Sequence, residues 1–148
     1  MAPIQEQIQQ DLNRALRERD AVSRDALRLL TTALNYARIE SGKDLTDEDV
    51  LGVIQKQVKQ RRESIAEYEK ASRQDLADKE RAEMEVFQRY LPEQATPEEI
   101  EAAAREVIAS TGASSQRDMG KVMPVLTKKF SGRADGKQVS EIVRSLLA

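Results

Sequence analysis

Apolar residues recur every three or four positions along most of this chain, a spacing that places them on one face of an α-helix. The 148 residues include only six glycines and four prolines, so few positions interrupt a helical segment. Alanine, glutamate, lysine, leucine and arginine account for 71 of the residues, which is typical of long helices. No segment shows the strict alternation of a half-buried strand. The sequence therefore predicts an all-α fold.

The predicted helices fall into two groups separated by a short, proline-containing stretch. Residues 1–91 are expected to form an N-terminal bundle of about four long helices. Residues 92–95 read as a linker, because Pro92 does not continue a helix. Residues 96–148 are expected to form a three-helix C-terminal subdomain. Two all-helical subdomains are therefore predicted.

Capping signals predict where the first helices begin and end. Pro3 suits a first helical turn, and Asp20 and Thr46 are good N-caps for the second and third helices. A break is expected near Ala71. Between Ser72 and Met84 apolar residues are sparse, so this stretch is expected to be surface-exposed or an extended arm.

The second helix is rich in apolar residues, and these are expected to face the core. The residues assigned to its buried side are Val22, Ala26, Leu29, Leu30, Ala33, Leu34 and Ala37. The spacing shows no sustained heptad register.

The C-terminal subdomain carries its own start and stop signals. Thr96 followed by Glu99 predicts a capping box, and Asp118 is expected to act with a preceding serine in the same way. Pro124 is expected to kink the following helix or to end its first part. Asp135 is a good cap for the last helix.

Cysteine and histidine are both absent, and this excludes several kinds of site. There is no cysteine nucleophile, no Ser-His-Asp triad, no zinc site of Cys or His ligands, and no disulfide. The sequence from Gly132 to Lys137 fails as a phosphate-binding P-loop, which needs four residues between its glycines. We therefore identify no catalytic residues and expect no metal or cofactor.

The same composition bears on location. A chain without cysteine agrees with a reducing compartment, and no apolar run approaches the ~18 residues that span a membrane. No basic and apolar leader opens the sequence. A cytoplasmic protein without a membrane partner is expected.

Charge is distributed unevenly along the chain. The last 32 residues carry seven basic and three acidic side chains, whereas the first 116 carry 17 and 23. This basic end suits contact with a phosphate backbone. The alternative is an ordinary solvated face. The candidate phosphate contacts are Arg117, Lys121, Lys128, Lys129, Arg133 and Lys137.

Two glycines in this segment are candidates for close backbone approach. Gly120 lies inside a helical pattern, where glycine costs ~1 kcal/mol relative to alanine, so a neighbouring helix or an RNA phosphate is expected to approach it. Gly132 and Gly136 bracket a tight turn in which the positive φ favoured by glycine is expected.

A second basic cluster lies in the N-terminal subdomain and is expected to be salt-bridged surface. Its basic residues are Lys56, Lys59, Arg61 and Arg62, with Glu63 and Glu67 in reach on the same helix.

Four segments carry a resemblance to a known family. They are Asp118-Met119-Gly120-Lys121-Val122-Met123, Gly132-Arg133-Ala134-Asp135-Gly136, Tyr90-Leu91-Pro92-Glu93-Gln94 and the helix pattern Arg24-Asp25-Ala26-Leu27-Arg28-Leu29-Leu30. With these motifs the chain resembles the YqeY family over essentially its whole length. The same signature is similar to the tail domain of GatB, a subunit of the glutamine-dependent aminoacyl-tRNA amidotransferase.

The resemblance implies a two-part all-α fold and an association with tRNA, with no DNA expected. Three functions follow in order of preference. The first is a tRNA-binding accessory protein without its own active site, and the second is an adaptor for an amidotransferase or an aminoacyl-tRNA synthetase. The third, which the resemblance suggests but no catalytic residues support, is a component of a carbon–nitrogen ligase that uses glutamine as amide donor.

Overall fold

A computed structural model describes residues 2–148 of the protein. Within this range the chain forms seven α-helices, one short 3-10 turn and no strand, so the predicted all-α fold is confirmed. The helices are α1 (Pro3–Glu18), α2 (Ala21–Ser41), α3 (Asp47–Lys70), α4 (Gln74–Gln88), α5 (Pro97–Thr111), α6 (Met119–Lys129) and α7 (Gly136–Leu147). None of the helices in the described range is long and apolar enough to cross a membrane.

The chain divides into two compact units, one ending at Leu91 and the other spanning Pro92–Ala148. The first unit packs α1 to α4 around a core that includes Ile8, Leu30, Ile54 and Phe87, each at most 1 % exposed. Apolar residues three and four apart line the inner face of each helix, as their spacing predicts.

The stretch from Ser72 to Met84, expected to be exposed or an extended arm, is mostly helical. It forms the greater part of α4, which packs along α3. Ala77 is completely buried, and Glu83 is 8 % exposed. The prediction of exposure is confirmed for residues 72–75, 78 and 79. The prediction of an extended arm is wrong, because a small alanine and an ion-paired glutamate fill positions that larger apolar residues usually occupy.

The inner face of α2 differs from the prediction. Leu30 and Leu34 are buried as expected, and Leu27 joins them in the core. Val22 and Leu29 are wrongly predicted as buried, since both lie on the solvent side of the helix. Because the apolar residues of α2 extend over a wider arc than its neighbours cover, periodicity alone does not show which part of that arc is buried.

The second unit packs α5, α6 and α7 around a separate core. Ile100, Val122, Phe130 and Val143 lie at its centre. Residues 92–95, read from the sequence as a linker, are hydrogen-bonded within this unit: Ala95 donates its amide N–H to the Arg133 carbonyl at 2.8 Å.

Two local predictions in the second unit need correction. Pro124 does not end the first part of α6, because the helix runs through it to Lys129, so of the two predicted effects only a kink is left. Gly136 is the first residue of α7 and has no positive φ, whereas Gly132 adopts the predicted left-handed conformation with φ of 76°. The turn between α6 and α7 therefore depends on one glycine for its backbone geometry.

Candidate nucleic-acid interface

The solvent face of α6 carries two of the predicted phosphate contacts in line with each other. Lys121 and Lys128 are both exposed and are seven residues apart, which is nearly two full turns. Their Cα atoms therefore lie on one side of the helix, roughly 10 Å apart along its axis. The opposite face of α6 buries Val122 and Leu126, so the core holds the helix with its lysines outward.

The backbone beside these lysines is open. A methyl group built on Gly120 would meet no atom within 4 Å, and the same is true of Gly136. Among residues 2–148 no neighbouring helix packs closely against Gly120, so its backbone is open on this side. Gly120 and Gly136 lie in the first turns of α6 and α7. At these helix starts the Met119 amide N–H donates to the Gln116 carbonyl, and the Lys137 amide N–H donates to Asp135 Oδ1 at 3.2 Å.

Three further candidates are exposed around this face. Arg117 lies in the 3-10 turn that leads into α6, Lys129 ends α6, and Lys137 is the second residue of α7. Arg117 and Lys129 therefore lie at the two ends of α6, and Lys137 lies at the start of the next helix. The structure thus leaves five of the six predicted cationic side chains exposed.

Arg133, the sixth predicted phosphate contact, is engaged inside the unit. Its Nη2 donates to both Glu99 carboxylate oxygens at 2.8 and 3.0 Å, and its Nε donates to the Glu93 carbonyl at 2.9 Å. The guanidinium carbon also lies 5.8 Å from the centre of the Phe130 ring. Arg133 therefore joins the start of α5 to the turn after α6, and these contacts use its Nε and Nη2 donors.

The predicted capping box at α5 is changed by the same contact. Thr96 caps the helix, since its hydroxyl oxygen accepts from the Glu99 amide N–H at 3.1 Å. The Glu99 carboxylate is bound by Arg133. No local pattern in the sequence indicates a partner 34 residues away.

Asp118 is the acidic residue closest to the lysine face. Its carboxylate accepts the amide N–H groups of Ser114 and Ser115 at 2.9 and 3.3 Å, and these bonds hold its pKa below the ordinary aspartate value. It also lies 3.6 Å from Lys121 Nζ. Asp118 therefore orients the chain entering α6 and offsets part of the Lys121 charge.

The charge of the second unit is separated by element. Residues 92–148 carry eight basic and eight acidic side chains, so this unit has no net charge. Five of the acidic residues precede Gln116, whereas seven of the basic residues follow it. The positive potential therefore belongs to α6, α7 and their turns, and α5 is acidic.

The second basic cluster does not behave as predicted from its own helix. Arg61 is the buried member, with a side chain 14 % exposed, and it reaches from α3 to α4. Its Nε donates to Glu83 Oε2 at 3.0 Å, and Glu80 Oε2 lies 3.1 Å from the same nitrogen. Its carboxylate partners are therefore on the neighbouring helix, while Lys56 and Arg62 are exposed.

The first unit also contains a polar cleft that the sequence did not indicate. This cleft, of about 530 Å³, is lined by charged and polar side chains that include Asp11, Arg14, Asp20 and Arg89. At its wall the Tyr90 hydroxyl donates to Asp11 at 2.5 Å. Burial, together with this bond, raises the pKa of Tyr90 above its ordinary value. The contact joins residues 79 apart in sequence, which no local pattern reports.

These features define an all-helical protein with two separate cores and a lysine-bearing helix exposed on the second unit. The chain matches the family described as Yqey-like protein over residues 5–147. It belongs to the YqeY family.

Similar proteins occur in fungi. The chain is 30 % identical over 142 residues to "Altered inheritance of mitochondria protein 41, mitochondrial" of Pyrenophora tritici-repentis, covering 95 % of this chain and 78 % of that protein. It is 36 % identical over 80 residues to "Uncharacterized protein C22F3.15" of Schizosaccharomyces pombe, covering 54 % of this chain. That match spans 63 % of the Schizosaccharomyces pombe protein, less than two thirds of its length.

A third similar protein bears the same name as the Pyrenophora one. The protein from Vanderwaltozyma polyspora is 32 % identical over 97 residues, covering 64 % of this chain and 52 % of that protein. These two relatives are mitochondrial by name.

Proposed function

We propose that this protein is an RNA-binding accessory protein that contacts tRNA through the outward face of α6 and has no active site of its own. The observation that carries the proposal is the alignment of Lys121 and Lys128 on one exposed face, with the bare Gly120 backbone beside them. Lysines at this spacing neutralise two phosphates, and a glycine lets a backbone approach closely.

Two further considerations support RNA rather than another polyanion. RNA duplexes are recognised mainly by shape and by phosphate and 2′-hydroxyl contacts, so the scarcity of aromatic residues, three tyrosines and two phenylalanines, is no obstacle. The family resemblance to the tail of a tRNA-dependent amidotransferase directs the choice of RNA to tRNA. A cytoplasmic location stays a prediction, since fungal relatives are mitochondrial by name.

The proposal is tested by fluorescence anisotropy with unfractionated tRNA at several salt concentrations, with duplex DNA as competitor. We expect wild-type protein to prefer tRNA over the DNA duplex. In the Lys121→Glu/Lys128→Glu variant, affinity at low salt should fall roughly tenfold or more. The salt slope should become shallower by about 0.7 to 0.9 for each phosphate that the variant no longer neutralises.

The first unit offers a matched control for this variant. Lys56→Glu/Arg62→Glu changes the net charge by the same amount at exposed positions on α3, so it should leave most of the binding intact. Absence of tRNA binding at low salt would refute the proposed function. Equal losses of affinity in both double variants would show that binding follows net charge and not the face of α6.

A variant at Arg133 shows in the same assay whether this residue contacts phosphate or has a structural role. Because its guanidinium is bound by Glu99 and the Glu93 carbonyl, Arg133→Ala should lower the thermal stability of the second unit. The salt slope of tRNA binding should stay close to the wild-type value. A slope reduced as in the lysine variant would place Arg133 among the phosphate contacts.

A further inference from the structure

The outward face of α2 exposes an unusual concentration of large apolar side chains. Among residues 2–148 six such side chains are exposed, and four of them belong to this helix. They are Val22, Leu29, Tyr36 and Ile39, at 53, 44, 72 and 73 % exposure. Scattered single exposed residues are normal, but several large apolar side chains exposed on one helix mark a contact surface.

The spacing of this row is that of a helix–helix seam. Val22, Leu29 and Tyr36 are seven residues apart, and Asp25, Thr32 and Ile39 follow each of them by three. All six are exposed. Positions that repeat as seven with an offset of three form the a and d sites of a coiled-coil interface. This register is not evident from the sequence, because apolar spacing predicts that Val22 and Leu29 face the core.

We propose that two copies of this chain pair through this face, with their α2 helices antiparallel. In an antiparallel seam each a position faces a d position of the second copy. Val22 then lies opposite Ile39 of the second copy, and Leu29 lies opposite Thr32 of the second copy. A two-fold axis repeats each contact, as in an isologous dimer.

The polar residues of the row determine that its partner is a second copy of the same row and that the two helices run antiparallel. Asp25, the only charged side chain in the row, lies opposite Tyr36 of the second copy, where the tyrosine hydroxyl is a hydrogen-bond donor for the carboxylate. A parallel arrangement would instead place Asp25 against Asp25 of the second copy, and like charges repel. The row is thus complementary to itself in one direction only.

The remaining groups along the seam add no conflict. The Thr32 hydroxyl donates to the Arg28 carbonyl of its own helix at 3.0 Å, so covering it leaves no hydrogen bond unmade. Asp25 accepts from the neighbouring Arg24 Nε at 3.0 Å, so its charge is partly balanced within one copy. Arg28, on the flank of the row, faces Asn35 of the second copy, whose amide oxygen is an acceptor.

The association is tested by sedimentation equilibrium from micromolar to submillimolar protein, without nucleic acid. We expect a monomer–dimer equilibrium in the wild type. Leu29→Glu should weaken it roughly tenfold or more, since the charge enters the seam twice. Leu16→Glu is the matched control, because Leu16 on α1 has the same 44 % exposure but lies outside the row.

The direction is tested by cross-linking, for which the absence of cysteine in the chain gives a clean background. Val22→Cys and Ile39→Cys proteins are mixed and oxidised, and we expect a covalent dimer of one chain of each kind. Either variant alone should stay uncrosslinked, since like positions are then roughly 25 Å apart along the seam.

Each remaining outcome counts against the proposal. A wild type that stays monomeric at every concentration refutes the dimer, and loss of association in Leu16→Glu to the same extent as in Leu29→Glu refutes this face. Cross-linking of Val22→Cys with itself refutes the antiparallel direction. Because the measurements contain no RNA, they remain valid whether or not the proposed function holds.

Discussion

Each core is completed by a buried phenylalanine with an arginine beside its ring. Arg61 lies 5.3 Å from the centre of the Phe87 ring, and Arg133 lies 5.8 Å from that of Phe130. A guanidinium attracts the electron-rich ring face while its donors bind carboxylates. At the level of single residues, Arg61 and Arg133 therefore hold structural elements together, although composition alone would class both as surface charges.

Arg61 is expected to contribute more to the free energy of unfolding than the basic residues near it in the sequence. Arg61→Ala removes the partner of two carboxylates and leaves the buried Glu83 charge uncompensated, so the free energy of unfolding should fall by about 3 kcal/mol. Urea titration followed by circular dichroism measures this change. The exposed Arg62→Ala is the control, with an expected change within about 0.5 kcal/mol. Equal effects would show that Arg61 contributes no more than a surface charge.

At the level of the helices, aspartate side chains stabilise several N-terminal ends by accepting hydrogen bonds. Asp20 accepts from the Ser23 hydroxyl and amide, and Asp49 accepts from the Thr46 amide. In the turn before α6, Asp118 accepts from the Ser114 and Ser115 amides. These bonds favour the ionised form and lower the pKa of all three carboxyls, with the Ser23, Thr46 and Ser114 bonds the largest causes.

The pH dependence of stability follows from the direction of these shifts. A carboxyl whose pKa is lower in the folded state stabilises the protein above its unfolded pKa of about 3.9, and this contribution is lost as pH falls below that value. The free energy of unfolding should therefore change little from pH 7 to about pH 5 and drop as pH falls below about 4.

Variants with asparagine at the three aspartates test this origin. Asparagine still caps a helix but does not titrate in this range, so Asp20→Asn/Asp49→Asn/Asp118→Asn should show a weaker decline in acid. Urea unfolding at each pH provides the measurement. Asp44→Asn, at an exposed residue before α3, serves as the control. If the free energy of unfolding of the triple variant falls in acid as steeply as that of the wild type, other carboxylates cause the loss.

At the scale of the whole molecule, the two cores share no residue in the range 2–148. Phe87 belongs to the core of the first unit and Phe130 to that of the second. Phe87→Ala and Phe130→Ala should each cost about 3 to 5 kcal/mol in the unit that contains the substitution. Hydrogen exchange followed by mass spectrometry should show reduced protection in that unit only. Reduced protection throughout the chain in either variant would instead mean that both units unfold together.

The helices themselves follow from the sequence, because their signals are local. Apolar spacing, the caps at Asp20, Thr46 and Thr96, and the glycine after α2 each depend on residues within about one turn. The exposed lysines of α6 are also predictable, since lysine is seldom buried. These parts of the fold and of the candidate interface need no knowledge of distant partners.

Packing between helices settles which face of each helix is covered and which charges are used inside. The local pattern assigns Arg133 to phosphate, yet Glu99 binds it, and Arg61 pairs with a helix that begins 13 residues further along the chain. Periodicity assigns Leu29 to the core, yet it faces solvent. An apolar or charged side chain has the same local pattern in either role, because burial and ion pairing depend on helices brought together by packing.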